Sequence, residues 1–223
     1  MNPYKVFEIK KNIIEDNNRE AQIVRERLKK EKTFLLNLMS SPGSGKTTTV
    51  LRTIEALKDE MKIGIIEADI DSDVDAYAVA QTGTKVVQLH TGGMCRLNAD
   101  MTEQGLLQLG TEELDFVLLE NIGNLICTAE SDTGASKKAM ILSVPEGDDK
   151  PLKYPVMFSV VDVLIINKID VMDYFDFDLE AVKERVTKLN PNIKIIPISA
   201  KTGEGMDEWT NWLRTEVKNW NEK

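Results

Sequence analysis

The sequence predicts an α/β fold in which helices flank a mostly parallel central sheet, preceded by an amphipathic helix at the amino terminus. Short apolar runs alternate along the chain with segments whose apolar residues recur every three or four positions. A glycine-rich loop joins the first run to a helix. Polar or acidic residues follow several runs, as they do at the carboxyl edge of a parallel sheet. At 223 residues the chain has the length of one sizeable domain.

The composition limits the class of protein. Hydrophobic residues make up 42% of the chain and charged residues 29%, which is ordinary for a soluble globular protein. No apolar run approaches the roughly 20 residues needed to cross a bilayer, and Met1–Lys5 has no signal-peptide core. We therefore expect a cytoplasmic protein without membrane contact. The net charge of −9, without a basic patch bearing aromatic residues, argues against a nucleic-acid partner.

The first 32 residues are predicted to form an amphipathic helix. Nine basic and six acidic side chains from Lys5 to Lys32 give this segment a charge of +3, which leaves −12 for the rest of the chain. We assign residues 1–32 to a helix that packs on, or extends from, a domain of residues 33–223. Packing on its own domain is the simpler interpretation, and docking on a partner protein is the alternative. The apolar positions of the helix are Val6, Ile9, Ile13, Ala21, Val24 and Leu28.

The loop after the first apolar run, Phe34–Met39, has the chemistry of a phosphate-binding loop. Its glycines let backbone N–H groups approach phosphates, and the following helix N-terminus adds partial positive charge. Lys46 is expected to bridge the β- and γ-phosphates, and the Thr47 hydroxyl to ligate Mg²⁺. Ser40 stands six residues before the lysine, where the strict motif has glycine. A simple serine- and glycine-rich turn is the alternative. The predicted phosphate-binding residues are Gly43, Ser44, Gly45, Lys46, Thr47 and Thr48.

The second predicted strand, Lys62–Ile66, is followed by acids at alternate positions from 67 to 75. A calcium loop is excluded, because Val74 and Ala80 stand where that loop needs glycine and a bidentate glutamate. We interpret the segment as a loop at the carboxyl edge of the sheet, from which Asp69 or Asp75 reaches a magnesium shell or polarises a water. A solvated acidic loop is the alternative.

A later apolar strand, Leu114–Asn121, closes on Glu120, the carboxylate expected to face Mg²⁺ opposite the phosphate loop. Gly123 would let the following loop approach the γ-phosphate. Cys127 lies seven residues beyond Glu120. The only other cysteine, Cys95, follows a predicted strand at residues 85–89, and two cysteines are too few for a disulfide framework. Both are therefore expected to be thiols.

Residues that follow the last predicted strands indicate which nucleotide base the protein binds. A fifth strand at 139–144 and a helix at 154–159 lead to a buried strand that ends in Asn167-Lys168-Ile169-Asp170. The Asp170 carboxylate can accept from both N1–H and the 2-amino group of guanine, a pair of donors that adenine lacks. Lys168 can lie along the purine and Asn167 can brace the loop. A final strand, 193–198, precedes the loop expected to contact guanine O6 through backbone N–H groups: Ser199, Ala200 and Lys201. The C-terminal helix has an apolar face.

From about Phe34 onward the chain resembles the HypB GTPases, P-loop proteins of the SIMIBI class that assist nickel insertion during [NiFe]-hydrogenase maturation. The stretch from Glu120 to Cys127 is the most specific to this family, because ordinary small GTPases have Asp-x-x-Gly there. Ser40 is usual in such proteins. The motifs that carry the resemblance are Asn37–Thr47, Glu120–Cys127, Glu146–Pro155 and Asn167–Asp170.

The resemblance implies a P-loop GTPase domain at residues 33–223 and a GTP-driven homodimer with metal-binding thiols near the nucleotide. In the family, a Cys-His pair after the third strand joins the cysteine after the glutamate strand. Cys95 and Cys127 match the thiols, but the position of the histidine is occupied by Arg96, which stays protonated and cannot ligate a metal. The implied partners are a hydrogenase maturation protein and the hydrogenase large subunit.

Three interpretations of the thiols remain open. Two thiolates from each subunit of a dimer would form a four-sulfur set suited to Zn²⁺ or square-planar Ni²⁺. His90, the only histidine, could serve as a substitute ligand. Alternatively, the metal function has been lost and both cysteines are small buried side chains.

The function expected from these features is that of a GTP-binding and GTP-hydrolysing nickel metallochaperone. The expected catalytic residues are Lys46, Thr47, Asp69 and Glu120, with Mg²⁺ held by the last three. No motif supplies a catalytic glutamine or an arginine finger, so slow intrinsic hydrolysis is expected. The alternatives are a urease-type or other metal-delivery GTPase, and a scaffold that binds GTP without hydrolysing it.

Overall fold

The computed structural model describes residues 9–222 of the chain. The predicted helical position Val6 lies outside this range. The helices are α1 (Ile9–Glu31), α2 (Lys46–Leu57), α3 (Val74–Ala80), α4 (Ala99–Leu109), α5 (Cys127–Glu130), α6 (Lys150–Lys153), α7 (Pro155–Val160), α8 (Leu179–Leu189) and α9 (Met206–Glu222), with 3-10 turns at Val144–Glu146 and Ile169–Tyr174. The strands are β1 (Phe34–Ser40), β2 (Ile63–Asp69), β3 (Lys85–His90), β4 (Phe116–Glu120), β5 (Lys137–Ser143), β6 (Val163–Asn167) and β7 (Lys194–Pro197).

The seven strands form one sheet in the order β3-β2-β4-β1-β5-β6-β7, and every pair of neighbours is parallel. Strand β1 leads to β2 on one side of the sheet, whereas its neighbour β4 leads to β5 on the other. A crevice therefore opens between the carboxyl ends of β1 and β4, the position at which α/β sheets bind ligands. The predicted fold class, a P-loop NTPase fold with a parallel sheet, is confirmed.

Both faces of the sheet are covered, which explains why all seven residues of β1 are buried. Phe34, Leu36 and Leu38 face a core formed with α2 and α9. Leu35 faces a second core formed with α1 and α4. Trp209 of α9 is fully buried, and its indole N–H donates to the Thr53 hydroxyl at 2.9 Å. The predicted apolar face of the C-terminal helix therefore belongs to the core.

The second half of helix α1 packs against the face of the sheet that carries Leu35. Ala21, Val24 and Leu28 are buried, as their spacing on one helical face predicts. Arg27 adds polar contacts, because its guanidinium bonds Glu103 of α4 at 2.8 and 3.0 Å. None of the helices within residues 9–222 is long and apolar enough to span a membrane.

Two of the segments that differ from the sequence expectation follow β2 and β4. The acidic stretch after β2 is partly helical, since α3 begins at Val74 where a continuous loop was expected. The second is α5, a single turn that begins at Cys127. A four-residue helix is too short to show periodicity, so the sequence pattern did not predict it.

Candidate functional site

The predicted phosphate loop lies at the carboxyl end of β1. Gly45 has φ +96° and immediately precedes the first turn of α2, which begins at Lys46. The left-handed backbone at this position favours glycine. Ser40, the departure from the strict motif, is accommodated by hydrogen bonds: its hydroxyl donates to the Ser41 carbonyl and accepts from the Ser44 hydroxyl, both at 2.7 Å. The loop is therefore closed by its own serines.

The strand end that carries the predicted base-reading residues contacts the phosphate loop directly. The Asn167 amide donates to the Ser44 carbonyl at 2.9 Å, and the Lys168 ammonium donates to the Gly43 carbonyl at 2.7 Å. A Cβ atom at Gly45 would lie only 2.5 Å from Asn167 Nδ2. Glycine at this position is thus required both by backbone conformation and by the approach of Asn167.

The predicted guanine-binding residues converge on one another. Asn167 Oδ1 accepts from the Lys168 N–H at 2.8 Å and from the Ala200 N–H at 3.1 Å, and so joins the ends of β6 and β7. The Ser199 hydroxyl donates to Asp170 Oδ1 at 2.7 Å, which fixes the orientation of that carboxylate. The structure therefore brings together residues 167–170 and 199–201.

Two carboxyl groups meet beside the phosphate-loop lysine. Glu67 of β2 and Glu120 of β4 are register partners on adjacent strands, and both are buried. Burial raises the pKa of both groups, and the Glu120 carboxyl further raises the pKa of Glu67. The Lys46 ammonium lies 3.9 Å from Glu120 Oε1, and the Thr47 hydroxyl hydrogen-bonds Glu120. Both of these contacts favour the ionised form of Glu120.

This pair offers oxygen atoms to a cation. Within residues 9–222, Glu67 Oε1 and Glu120 Oε2 are buried without a hydrogen-bond partner. The raised pKa of Glu67 favours its neutral form, so the carboxylate that can meet Mg²⁺ beside the Thr47 hydroxyl is that of Glu120, whose ionised form Lys46 stabilises. The predicted ligands Thr47 and Glu120 therefore fit a magnesium ion.

Asp69 and Asp75 line the open side of the same site. Asp69 is exposed, and its Oδ1 accepts from the backbone N–H groups of Asp71 at 3.1 Å and Ser72 at 2.8 Å. The hydrogen bond from Asp71 is the main cause of the lowered pKa of Asp69. Asp75 is close enough for its charge to raise the pKa of both Glu67 and Glu120. Both aspartates can face a cation bound beside Glu120.

A cavity of about 560 Å³ opens over these groups. It is lined by Pro42, Gly43, Gly45, Lys46, Thr47, Thr48, Asp69, Ile70, Asp75, Glu120, Ile122, Gly123 and Lys168. A larger depression of about 690 Å³, lined in part by Lys58, Lys62 and Lys85, lies at the amino ends of the strands. Only the first cavity combines a helix N-terminus, a lysine and acids at the carboxyl edge, so it is the candidate nucleotide site.

The two thiols lie next to each other. Cys95 is exposed in the segment between β3 and α4, and Cys127 is half-buried at the start of α5. A hydrogen bond with Cys95 is the main cause of the raised pKa of the Cys127 thiol. Arg96 lies 3.7 Å from Glu130, and His90 lies 4.0 Å from Asp71. In the described part of the chain no three His, Cys, Asp or Glu side chains form a metal-binding group, so His90 does not complete a site with the two thiols.

The loop between Glu120 and Cys127 touches the phosphate loop at one point. A Cβ atom at Gly123 would lie 3.0 to 3.2 Å from Pro42, so the two backbones are in close contact there. One residue further on, Asn124 Oδ1 accepts from the N–H groups of Ile126 and Cys127, both at 2.8 Å. The segment thus runs from a phosphate-loop contact to a cysteine within a few residues.

Glu67 is the site residue that the sequence did not single out. It was one of several acids after the second predicted strand, Lys62–Ile66, and its partner Glu120 is distant in sequence. The signal that could have found it is its position in direct continuation of the apolar residues of a buried strand, where an ionisable group needs a partner.

Comparison with known proteins agrees with this geometry. The family described as CobW/HypB/UreG, nucleotide-binding domain, matches residues 34–197. The hydrogenase maturation factor HypB of Escherichia coli K12 is 42% identical over 216 residues, which cover 97% of this chain and 74% of that protein. The hydrogenase/urease maturation factor HypB of Helicobacter hepaticus is 40% identical over 206 residues, covering 91% and 84%.

A solved structure agrees as well. The crystal structure of HypB from Helicobacter pylori in complex with nickel superposes with a TM-score of 0.85 at 39% identity, covering 92% of this chain and 96% of that one. Fold, site and sequence similarity all agree, and the chain belongs to the CobW/HypB/UreG family, within which it is a member of the HypB hydrogenase maturation factors.

Proposed function

We propose that this protein is a GTP-binding and GTP-hydrolysing metallochaperone that assists nickel insertion into [NiFe] hydrogenase. One observation carries the proposal: Asn167 hydrogen-bonds both the phosphate loop and the loop at Ala200 that can contact guanine, and so joins the two parts of the nucleotide site. The nickel-bound relative supports the choice of nickel as cargo, because it shares the fold of this chain at 39% identity.

The nucleotide is held by the two halves of this cavity. Backbone N–H groups of residues 43–47 and the N-terminus of α2 stabilise the phosphate charge, and Lys46 adds a full positive charge. Asp170, oriented by Ser199, accepts from the guanine edge. Mg²⁺, held by Thr47 and Glu120 with help from Asp69, would supply further charge neutralisation on the β- and γ-oxygens. The same charges stabilise the transition state of γ-phosphoryl transfer to water.

Hydrolysis is expected to be slow. A fast GTPase needs a group that orients the attacking water and a cation that meets the developing charge, and no motif of this chain identifies either. GTP therefore persists long enough to act as a signal for assembly. Slow turnover suits a protein that changes state once per metal delivered.

The cargo metal is proposed to bind at the thiol pair. Cys95 and Cys127 supply two soft donors suited to Ni²⁺ or Zn²⁺. Arg96 stays protonated and pairs with Glu130, so the remaining ligands come from a second subunit. A nucleotide-dependent homodimer would join two such half-sites. A hydrogenase maturation protein and the hydrogenase large subunit are the proposed partners, in the cytoplasm, without nucleic acid or membrane.

A second candidate is metal delivery to urease. The Helicobacter hepaticus relative is a hydrogenase/urease maturation factor at 40% identity, so the same scaffold serves both enzymes there. Maturation assays with each apo-enzyme would separate the candidates. A GTP-binding scaffold is the alternative from another class, and it should bind GTP without releasing phosphate.

Calorimetry tests the base preference. GTP should bind at least about 100-fold more tightly than ATP, because ATP would leave the Asp170 carboxylate without its donors. Asp170→Asn should lose most of the preference for GTP over ATP, while the phosphate loop should still bind the phosphates of either nucleotide. Equal or tighter binding of ATP by the unaltered protein would overturn the assignment.

A second titration tests the thiols. Ni²⁺ and Zn²⁺ are added to the unaltered protein and to Cys95→Ala, each with GDP and with a non-hydrolysable GTP analogue, while oligomeric state is followed. The expected result is tight binding by the unaltered protein alone, with a stoichiometry or affinity that depends on the nucleotide. If metal binding depended on neither the substitution nor the nucleotide, the protein would be a GTPase without a metal function at these thiols.

A further inference from the structure

Helix α1 is hydrogen-bonded to both thiol-bearing segments through one side chain. Asn17 Oδ1 accepts from the N–H of Ala99, the first residue of α4, at 2.9 Å. Its Nδ2 donates to the carbonyl of Asp132, just after α5, at 2.9 Å. The first bond fixes the segment that follows Cys95, and the second fixes the segment that follows Cys127.

Two further contacts join the same segments closer to the thiols. The buried Ser131 hydroxyl donates to the Leu97 carbonyl at 2.6 Å. Arg96 lies 3.7 Å from Glu130. Three contacts thus join the segments that carry the two cysteines, and the one through Asn17 comes from helix α1.

The surroundings of Asn17 make its two bonds important. A cavity of about 330 Å³, lined in part by Ile14, Glu20 and Met94, separates this end of α1 from the thiol segments. Apolar packing of α1 against these segments lies further along the helix, where buried Val24 shares a core with Leu97 and Ala135. Arg25 of α1 also contacts the segment after Cys127, because its guanidinium pairs with the Asp132 carboxylate and donates to the Ala135 carbonyl at 3.1 Å.

We infer that Asn17 is a positioning residue that fixes the separation of Cys95 and Cys127 and so sets the metal affinity of the thiol pair. The inference rests on the proposed metal role of these cysteines. Asn17 acts through the backbone and touches neither sulfur. A one-turn helix and an exposed loop do not hold two donors at a fixed distance by themselves, because so short a helix has little intrinsic stability. Residues that orient metal ligands from outside the ligand set typically change affinity by about 10- to 100-fold.

The test uses Asn17→Ala with Asn18→Ala as the matched control, since Asn18 is the same residue type, adjacent on α1 and exposed. Zn²⁺ titration of the GDP-bound protein should give an affinity about 10-fold or more weaker for Asn17→Ala and unchanged for Asn18→Ala. Asn17→Asp keeps the acceptor for Ala99 and loses the donor to Asp132, so it should also weaken binding. GTP affinity and circular dichroism report whether each variant is folded.

A metal-free measurement tests the geometry alone. Dibromobimane becomes fluorescent when it joins two neighbouring thiols, and Asn17→Ala should slow this cross-linking several-fold, whereas Asn18→Ala should not. Unchanged cross-linking and unchanged Zn²⁺ affinity in Asn17→Ala would overturn the inference. If Asn17→Ala does not fold, the same criteria apply to Asn17→Asp. If the unaltered protein and Cys95→Ala bind Zn²⁺ equally, the proposed metal role fails, and the cross-linking rates still decide whether Asn17 positions the thiols.

Discussion

The Asn167 side chain donates a hydrogen bond to the Ser44 carbonyl at 2.9 Å, so the end of β6 is tied to the phosphate loop after β1. The same side chain accepts from the Lys168 and Ala200 N–H groups. Three loops at the carboxyl edge of the sheet therefore share one amide. The position of the phosphate loop is therefore tied to the position of the loops proposed to contact the base.

Replacing Asn167 by alanine should weaken nucleotide binding strongly. The change removes three hydrogen bonds, and each buried partner left unpaired costs about 1–3 kcal/mol in the folded protein. If nucleotide binding loses about as much as one such bond, affinity for both GTP and GDP should fall by roughly 10- to 100-fold. Calorimetry measures the change. Asn190→Ala is the control, because Asn190 also bonds a backbone carbonyl, that of Val161 at 2.8 Å, but far from the cavity. If both variants lost affinity equally, the effect would be one of general stability.

The parts of the site that depend on local sequence were predictable. The phosphate loop and the Asn167–Asp170 turn follow directly from residue types at fixed spacing, because their chemistry comes from backbone N–H groups and neighbouring side chains. In the structure these two segments contact each other, through the hydrogen bonds from Asn167 to Ser44 and from Lys168 to Gly43. The C-terminal apolar face also follows from helical periodicity.

The parts that depend on contacts between distant residues were not predictable in this way. Glu67 meets Glu120 only because β2 and β4 are neighbours in the sheet, and nothing in either strand fixes that order. The proximity of Cys95 and Cys127 was expected only from family resemblance. Asn17 lies on a helix whose predicted role was apolar packing, so its hydrogen bonds to Ala99 and Asp132 had no local signal.

Arg52 of α2 is expected to tune base recognition. Its guanidinium donates to the carbonyls of Ala200 at 3.2 Å and Lys201 at 3.3 Å, which orients the N–H groups of the loop proposed to meet guanine O6. Arg52→Ala should lower GTP affinity by roughly 3- to 10-fold through loss of two hydrogen bonds that are partly exposed. The preference for GTP over ATP, measured by calorimetry, should narrow in parallel.

Glu55→Gln is the matched control for Arg52. Glu55 pairs with the same guanidinium at 2.8 Å on the exposed side, and the amide leaves both bonds to the 200–201 loop in place. An exposed ion pair of this kind contributes little, so base preference should stay unchanged. A loss of preference in Glu55→Gln equal to that in Arg52→Ala would point to charge rather than to loop orientation.

Asp148 should make stability depend on pH in the acid range. The hydrogen bond from the Asp178 N–H at 3.0 Å, and then the contact with Arg185, lower the pKa of Asp148 below its ordinary value of 3.8. A carboxyl whose pKa is depressed in the folded state stabilises that state above its unfolded pKa, and the stabilisation disappears as pH falls through the folded value. Asp148→Asn should therefore lower Tm at neutral pH by about 1–3 °C.

The difference in Tm between Asp148→Asn and the unaltered protein should shrink as pH drops below about 4 and vanish once both forms are uncharged at that position. Thermal scans by circular dichroism across this range give the comparison. A Tm gap for Asp148→Asn that stays constant down to the lowest pH would contradict the electrostatic origin.

Gly123→Ala tests whether the nucleotide site and the thiols are coupled. An added methyl group would press on Pro42 at 3.0 to 3.2 Å and move the backbone that leads to Asn124 and Cys127. We expect little change in overall fold, because the neighbouring atoms need to shift by only a few tenths of an ångström. Coupling between the γ-phosphate and the metal requires that the loop from Glu120 to Cys127 take one position with GTP and another with GDP. The added methyl group would displace this loop with either nucleotide, so the nucleotide would no longer change its position.

The measurement is Zn²⁺ affinity with GDP and with a non-hydrolysable GTP analogue. In the unaltered protein the two affinities should differ, and in Gly123→Ala the ratio should approach one while both nucleotides still bind. Because GTP affinity is followed in the same samples, a general loss of the nucleotide site can be told apart from a loss of coupling. A ratio equal to that of the unaltered protein would mean that the contact between Gly123 and Pro42 does not transmit the state of the nucleotide to Cys127.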